Sequence, residues 1–288
     1  MASVARVGAV RGLAAFLPAL LLWLGIAGAG AGAVAGEPWP HEVQAIYKVH
    51  FNGFELGTVT FNATVQAQTY TLSGDAQLSA LLGVLQWRGE TRTAGTLAGD
   101  SPRPAGYAFD FNGIGKRGSV RMNFAGDTVA KVSHTPPIPD EPDFVPVREQ
   151  HLKGVLDPLS AFMALSRSAS SSNPCSRTIS VFDGRQRFDL TLALSRQERI
   201  TEVRPSGQPG IAFVCSVRYV PIAGYRMTEE TQHMATTPGL EVSLRPVPSA
   251  DLFIPYQITI PTIAGSATLT AHWVQITTQR KGQIALVY

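Results

Sequence analysis

Apolar and polar residues alternate with a period of two along most of this 288-residue chain, and this pattern constrains the fold more than any other feature. Successive side chains of a β-strand point to opposite faces, so a strand with one buried face shows this period. Clear examples are Val59 to Val65 in the first half and Phe188 to Leu194 in the second. The alternation predicts a mainly β protein.

Turn residues separate many of these alternating runs. Asn52-Gly53, Gly126-Asp127 and Asp183-Gly184 each lie between two runs, and such dipeptides favour the tight turns that join antiparallel strands. We therefore expect a single large curled antiparallel sheet, in the form of a half-open barrel or β-spiral. The first half of the chain is predicted to be a meander.

One segment, Asp157 to Leu165, predicts a short helix that covers the sheet. Asp157 suits the N-cap, where its carboxylate accepts hydrogen bonds from free backbone amides, and Pro158 suits the first helical position. Leu159, Phe162 and Met163 form an apolar stripe. A second segment, Leu78 to Leu85, fits either a helical turn or a wide bend, and periodicity does not separate the two.

A proline-rich stretch at 134–147 interrupts the strand pattern. Prolines lack the amide hydrogen that an interior strand needs, so we predict that this stretch crosses from one part of the fold to another. It either divides two domains or passes over one sheet. We favour a single β-rich domain over residues 36–288, because each half alone offers one apolar face without a cover.

The first 35 residues have the features of a signal peptide. Arg6 and Arg11 precede an apolar run from Leu13 to Ile26, and an A-x-A cleavage signature follows at residues 33–35. We predict cleavage between Ala35 and Gly36 and export to the periplasm; an uncleaved membrane anchor is the alternative. No later apolar run is long enough to span a membrane as a helix.

Charge and cysteine content narrow the expected partners and compartment. Removal of the leader lowers the formal charge from +3 to +1, which gives no reason to expect binding to nucleic acid. Cys175 and Cys215 are the two cysteines of the chain, and in an oxidising compartment we expect them to form a disulfide. Such a bond would stabilise the fold by about 4 kcal/mol. A redox-active pair is the alternative, but it usually has C-x-x-C spacing.

The sequence contains no recognisable catalytic, cofactor-binding or metal-binding motif. Its six histidines lack metal-ligand spacing, and there is no nucleophile elbow or phosphate-binding loop. The glycine-rich stretch Gly113 to Gly118 lies between two strand patterns and predicts a hairpin. We therefore expect neither a cofactor nor an enzymatic activity.

Large apolar side chains on the alternating runs suggest a concave binding face. The candidate residues are Phe61, Phe109, Phe111, Phe124, Phe188 and Leu192. A curled sheet either packs such residues in an ordinary core or leaves a groove for a hydrophobic guest. Free strand edges of an incompletely closed sheet offer a second possibility, the addition of an extended peptide from a partner.

Several of these segments resemble the bacterial domain of unknown function 3108 family. The resemblance depends on Tyr47 with Asn52 to Gly57, on the helix start Asp157 to Ala161, and on Phe182 to Arg185 between the two cysteines. It covers roughly Val43 to Val220. The resemblance implies a periplasmic protein of a Gram-negative bacterium, of the alphaproteobacterial type, without an established reaction.

A looser likeness relates the chain to periplasmic envelope-integrity proteins with a β-spiral and to lipoprotein carriers. It implies a noncatalytic envelope protein that binds a lipid, a lipoprotein or a protein partner on the curled sheet. An envelope-modifying hydrolase and a purely structural protein with a filled core are the alternatives. The sequence gives no indication of the oligomeric state.

Overall fold

The computed structural model describes residues 39–80, 83–113, 115–139, 143–167, 173–203, 210–279 and 282–288. The predicted signal peptide, with its cleavage site between Ala35 and Gly36, lies outside these residues. The described residues form fourteen strands: β1 (Glu42–Phe51), β2 (Phe54–Gln66), β3 (Thr69–Ala80), β4 (Leu85–Ala98), β5 (Ser101–Gly113), β6 (Lys116–Ala125), β7 (Thr128–Thr135), β8 (Arg177–Phe182), β9 (Arg187–Arg199), β10 (Ile211–Ala223), β11 (Glu241–Val247), β12 (Leu252–Thr262), β13 (Gly265–Thr278) and β14 (Gly282–Val287).

All fourteen strands belong to one antiparallel sheet. Its order is β7-β6-β5-β4-β3-β2-β1-β13-β12-β11-β10-β9-β8, and β14 pairs with β13 beside β12. The first seven strands form the predicted meander, and the pairing of β1 with β13 joins them to the second half. The predicted fold class, a large antiparallel sheet that does not close into a barrel, is confirmed.

The turns of this sheet lie at two opposite ends. One end carries the connections between β1 and β2, between β3 and β4, between β5 and β6 and between β12 and β13, and we name it the Phe54 end. Asn52 links two of these turns, because its side chain accepts from the Ser266 amide at 2.9 Å and donates to the Ala264 carbonyl at 3.2 Å. The other end carries the turns at 67–68, 99–100 and 126–127, and we name it the Asp127 end.

The two edge strands, β7 and β8, are joined by a short segment of irregular chain. This segment, residues 153–156, pairs with Thr128 at one side and with Val181 at the other. The amide of Gly154 donates to the Asp127 carbonyl at 2.8 Å, and the amide of Leu156 donates to the Ser180 carbonyl at 2.9 Å. The sheet therefore curls until four residues bridge its edges.

Helix α1 (Pro158–Leu165) follows this segment and contacts β3, β4, β5, β8 and β12. Asp157 occupies the N-cap, and its carboxylate accepts from the amides of Leu159 and Ser160 at 3.0 Å. The carboxylate also accepts from the hydroxyls of Ser160 at 2.5 Å and Thr93 at 3.0 Å. Because Ser160 donates to Asp157, Tyr70 donates to Ser160, at 2.8 Å. This buried network fixes the helix against β3 and β4.

Three local features differ from or refine the sequence predictions. The strand β7 continues to Thr135, so the crossing segment begins at Pro136 rather than at residue 134. The predicted region of ambiguous structure, Leu78 to Leu85, consists of strand up to Ala80 and again from Leu85, and residues 81–82 lie outside the described part. A second helix, α2 (Glu229–Thr236), was not predicted; it contacts β10 and β12.

The crossing segment returns to the sheet beyond β10. Phe144 pairs with Arg226, and the amide of Val145 donates to the Tyr225 carbonyl at 2.9 Å. The predicted disulfide is confirmed: Cys175 and Cys215 are bonded, and both are fully buried. The bond links the segment that enters edge strand β8 to β10, which is not a hydrogen-bonded neighbour of β8.

Candidate functional site

An apolar chamber of about 240 Å³ lies between α1 and the part of the sheet nearest the Phe54 end. Phe162 of α1 forms one wall, and its ring lies 4.9 Å from that of Phe61 and 6.0 Å from that of Tyr47, measured between ring centroids. Trp87 and Phe109 form the opposite wall, with their ring centroids 6.4 Å apart. Six of the fifteen residues that line the chamber are therefore aromatic.

Two glycines make room for the chamber within adjacent strands. A Cβ atom at Gly89 would lie 2.4 Å from the indole ring of Trp87, and a Cβ atom at Gly74 would lie 2.9 Å from a methyl carbon of Thr91. Both distances are below normal van der Waals contact, so larger residues would displace the chamber wall. Glycine at position 89 thus lets the indole lie flat along the sheet.

An outer cleft of about 1040 Å³ adjoins this chamber. The two cavities share Tyr107, Phe109 and Pro158 in their walls, so they lie side by side. The cleft is completed by the end of β7, by residues 136–139 of the crossing segment, by the start of β6 and by the turn between β8 and β9. Its cationic lining residues are Lys116 and Arg117, both exposed, and the half-buried Arg185.

A carboxyl group and an imidazole, those of Asp183 and His134, also line the outer cleft. Asp183 accepts hydrogen bonds from the amides of Arg185 at 2.8 Å and Gln186 at 2.6 Å, so its carboxylate shapes the turn between β8 and β9. Burial raises the pKa of Asp183, while these backbone amides oppose the rise. The Nε2 atom of His134 is buried and has no hydrogen-bond partner within the described residues.

The six apolar residues predicted to form one concave face lie in several places. Phe61 and Phe109 line the chamber, and Phe111 stacks on Phe109 at 5.6 Å and lines the outer cleft. Phe124 instead lines a third cleft of about 850 Å³ towards the Asp127 end. Phe188 and Leu192 belong to a separate core cluster around the disulfide. The structure therefore brings three of the six together.

The third cleft contains Arg177, whose guanidinium completes the end of α1. It donates to the carbonyls of Ala164 at 2.7 Å and Leu165 at 2.9 Å, and also to the carbonyl of Arg167. Burial lowers the pKa of Arg177 to about 10. These contacts satisfy carbonyl groups at the helix C-terminus, so Arg177 has a structural role.

Sequence reasoning missed Trp87, the most prominent ring of the chamber. The signal that was available is the pair Trp87 and Gly89, since a glycine two residues along a strand leaves the same face open beside an indole. Sequence reasoning also missed the hydrogen bonds between the Asp183 carboxylate and the backbone amides of its own turn. It did not predict that Lys116, Arg117 and Arg185 line one cleft.

The described residues contain no group of three or more histidine, cysteine, aspartate or glutamate side chains placed to hold a metal ion. Across the same residues, neither helix has the length and apolar character needed to cross a bilayer.

These features define the class of the protein: an open, curled antiparallel sheet that encloses one helix, an apolar chamber and an adjoining cationic cleft. A family model described as "Protein of unknown function (DUF3108)" matches residues 46–271, and the chain belongs to this family. No curated protein and no solved structure gives a significant match.

Proposed function

We propose that the protein is a noncatalytic periplasmic protein of the cell envelope that binds the acyl chain of a lipid or lipoprotein. In this proposal the acyl chain of the ligand occupies the apolar chamber, and the polar, anionic part of the ligand lies in the outer cleft. The observation that carries the proposal is the contact between an aromatic chamber and a cleft with three cationic residues.

The chemistry of the two cavities supports an amphiphilic ligand. The chamber offers ring faces and aliphatic groups, which favour burial of an acyl chain by the hydrophobic effect. In the cleft, Lys116, Arg117 and Arg185 outnumber the carboxylate of Asp183, which is already bonded to its own turn. A phosphate or carboxylate in the cleft would gain charge-assisted hydrogen bonds there.

Each alternative function corresponds to a particular observation. The chamber alone is smaller than the ligand pockets of about 300–1,000 Å³ that are common in proteins, which favours a purely structural role with a nearly filled core. The presence of Asp183 and His134 in one cleft favours an envelope-modifying hydrolase. Binding of a fatty acid probe and recovery of intact phospholipid together separate the three functions.

The first test uses Trp87 as a reporter inside the chamber. We expect a fatty acid with a doxyl spin label on its chain to quench Trp87 fluorescence and to bind saturably. The variant Trp87→Phe should bind the same probe, as measured by displacement of a dansyl fatty acid, but should lose most of the quenching. Absence of binding to the wild type would favour the structural alternative.

A matched pair of substitutions locates the binding site. Ala76 lines the chamber, and Ala76→Leu should fill it and weaken probe binding about tenfold or more, which corresponds to about 1.4 kcal/mol. Ala108 is half-buried on β5, on the face that points away from the chamber, and Ala108→Leu should leave the affinity unchanged. Equal loss in both variants would place the ligand elsewhere.

The same preparations address catalysis and location. Mass spectrometry of phospholipids incubated with the protein should recover them intact; products that disappear in Asp183→Asn or His134→Gln would support the hydrolase.

Protein recovered from the periplasm should begin at Gly36, whereas a retained Met1 would contradict the predicted cleavage.

A further inference from the structure

Three exposed apolar side chains lie on neighbouring turns of the Phe54 end. Phe54 is 77 % exposed, Val84 is 78 % exposed and Ile263 is 54 % exposed. They belong to the hairpins β1–β2, β3–β4 and β12–β13 respectively, and these hairpins are consecutive in the sheet. The side chains therefore form a row at one end of the molecule, which we name the apolar tip row.

The exposure of these three side chains argues against a role in the core. Adjacent strands are about 4.8 Å apart, so tips of neighbouring hairpins are separated by roughly 10 Å. Single exposed apolar residues are common on protein surfaces, but a row of them on projecting turns marks an interaction surface. Separate projecting side chains fit a soft medium better than a flat, rigid protein partner.

The charge of the Phe54 end agrees with an anionic surface. Lys116 and Arg117 are exposed at the start of β6, beside the β3–β4 connection. The acidic residue next to the row, Glu55, is paired with Lys48 at 3.1 Å. At the Asp127 end, by contrast, the turns of the first seven strands carry Gln68, Asp100 and Asp127. The turns of the first seven strands therefore differ in both hydropathy and charge between the two ends, while α2, which also lies at the Phe54 end, carries Glu229 and Glu230.

We propose that the Phe54 end docks on the surface of an anionic phospholipid bilayer. The apolar tip row enters the interface between headgroups and acyl chains, and Lys116 and Arg117 lie against lipid phosphates. This inference goes beyond acyl-chain binding and does not depend on it. The two are compatible in space, because Val59 and Leu269 of the chamber lie five to six residues, or roughly 15–20 Å, from the turns.

The test measures binding of the protein, as cells export it, to vesicles of equal parts phosphatidylglycerol and phosphatidylcholine. We expect cosedimentation of the wild type and a loss of affinity of about tenfold or more when Phe54 and Ile263 are both replaced by serine. Val203 is a matched control, since it is 70 % exposed but lies in the connection after β9, at the opposite end of the sheet. Val203→Ser should bind like the wild type.

The charge contribution has its own expected result. Lys116→Gln and Arg117→Gln should each weaken binding to the anionic vesicles by about fivefold, and both should leave binding to pure phosphatidylcholine unchanged. All of these side chains are exposed, so circular dichroism should report the same fold in every variant. Equal binding of the wild type and the Phe54/Ile263 variant, or no binding of the wild type, would overturn the proposal.

Two further outcomes separate this proposal from its competitors. A concentration-dependent dimer in sedimentation velocity that disappears in Phe54→Ser, without vesicle binding, would assign the row to a second copy of the chain and overturn membrane docking. The tip variants should keep their affinity for the fatty acid probe, and Ala76→Leu should keep its affinity for vesicles. The result for one proposal therefore does not decide the result for the other.

Discussion

Helix α1 separates two parts of the core that are built differently. On one side, Tyr47, Phe61 and Phe162 belong to an aromatic cluster that leaves the chamber open. On the other side, Val181, Leu244 and the two cysteines belong to a smaller cluster in which these side chains are almost fully buried. One helix thus faces both an open and a filled region of the same sheet.

The two regions are also stabilised by different means. The filled region is cross-linked by the disulfide, which fixes the segment leading into edge strand β8. The open region depends on the hydrogen-bond network of Asp157, Ser160, Tyr70 and Thr93. The comparison indicates that a sheet which keeps an internal space must secure its covering helix by directional bonds, because close packing is incomplete there.

The largest expected effect comes from removing the disulfide. Cys175→Ser together with Cys215→Ser should lower the free energy of unfolding by about 4 kcal/mol, because the closed loop restricts the unfolded chain. Denaturant unfolding under oxidising conditions measures this. Wild-type protein under reductant is the control and should match the variant. Acyl probe binding should persist wherever the fold persists, and its selective loss would contradict the separation of the two regions.

The next effect tests the network on the open side. Asp157→Ala should cost about 3 kcal/mol, because it removes a helix cap and takes away the acceptor of the buried Ser160 hydroxyl. Thr228 caps the exposed helix α2 through its hydroxyl, so Thr228→Ala is a matched control that should cost about 1 kcal/mol or less. Similar costs in thermal unfolding would refute a special role for the buried cap.

The smallest effect concerns pH. Burial raises the pKa of Asp157 above its ordinary value, although four hydrogen bonds oppose the rise. The folded state therefore binds the proton of the Asp157 carboxyl group more tightly than the unfolded state does. The stability that this proton contributes is fully present below the pKa of the unfolded state. It is lost as the pH rises through the pKa of the folded state. The unfolding free energy of the wild type minus that of Asp157→Asn should fall over this range. A difference that increases with pH would reverse the assigned direction.

Much of the fold could be predicted because it depends on local patterns. Alternation from Val59 to Val65 marks a strand with one buried face, and Asn52-Gly53 adopts positive φ at both residues, as a tight hairpin turn requires. The segment starting at Asp157-Pro158 is a capped helix for equally local reasons. The disulfide could be predicted because the chain has one pair of cysteines and an exported protein meets an oxidising compartment.

The candidate site was less predictable because it depends on contacts between distant parts of the chain. Alternation places Phe109 and Phe188 on apolar faces, but it does not reveal that one lies by the chamber and the other by the disulfide cluster. Arg185 joins Lys116 and Arg117 only because the sheet curls until the turn after β8 meets β6. That contact is visible at Gly184, where a Cβ atom would lie 2.4 Å from Val120.

The bridge formed by residues 153–156 gives this protein a form of edge protection. Unpaired strand edges recruit strands from other molecules and so promote aggregation, and these four residues occupy positions on both edges at once. They lead directly into α1, so the cap of the helix also anchors the bridge. Release of the helix would free the paired positions at Thr128 and Val181 together, and the partly unfolded chain would then associate more readily with its own copies through strand pairing.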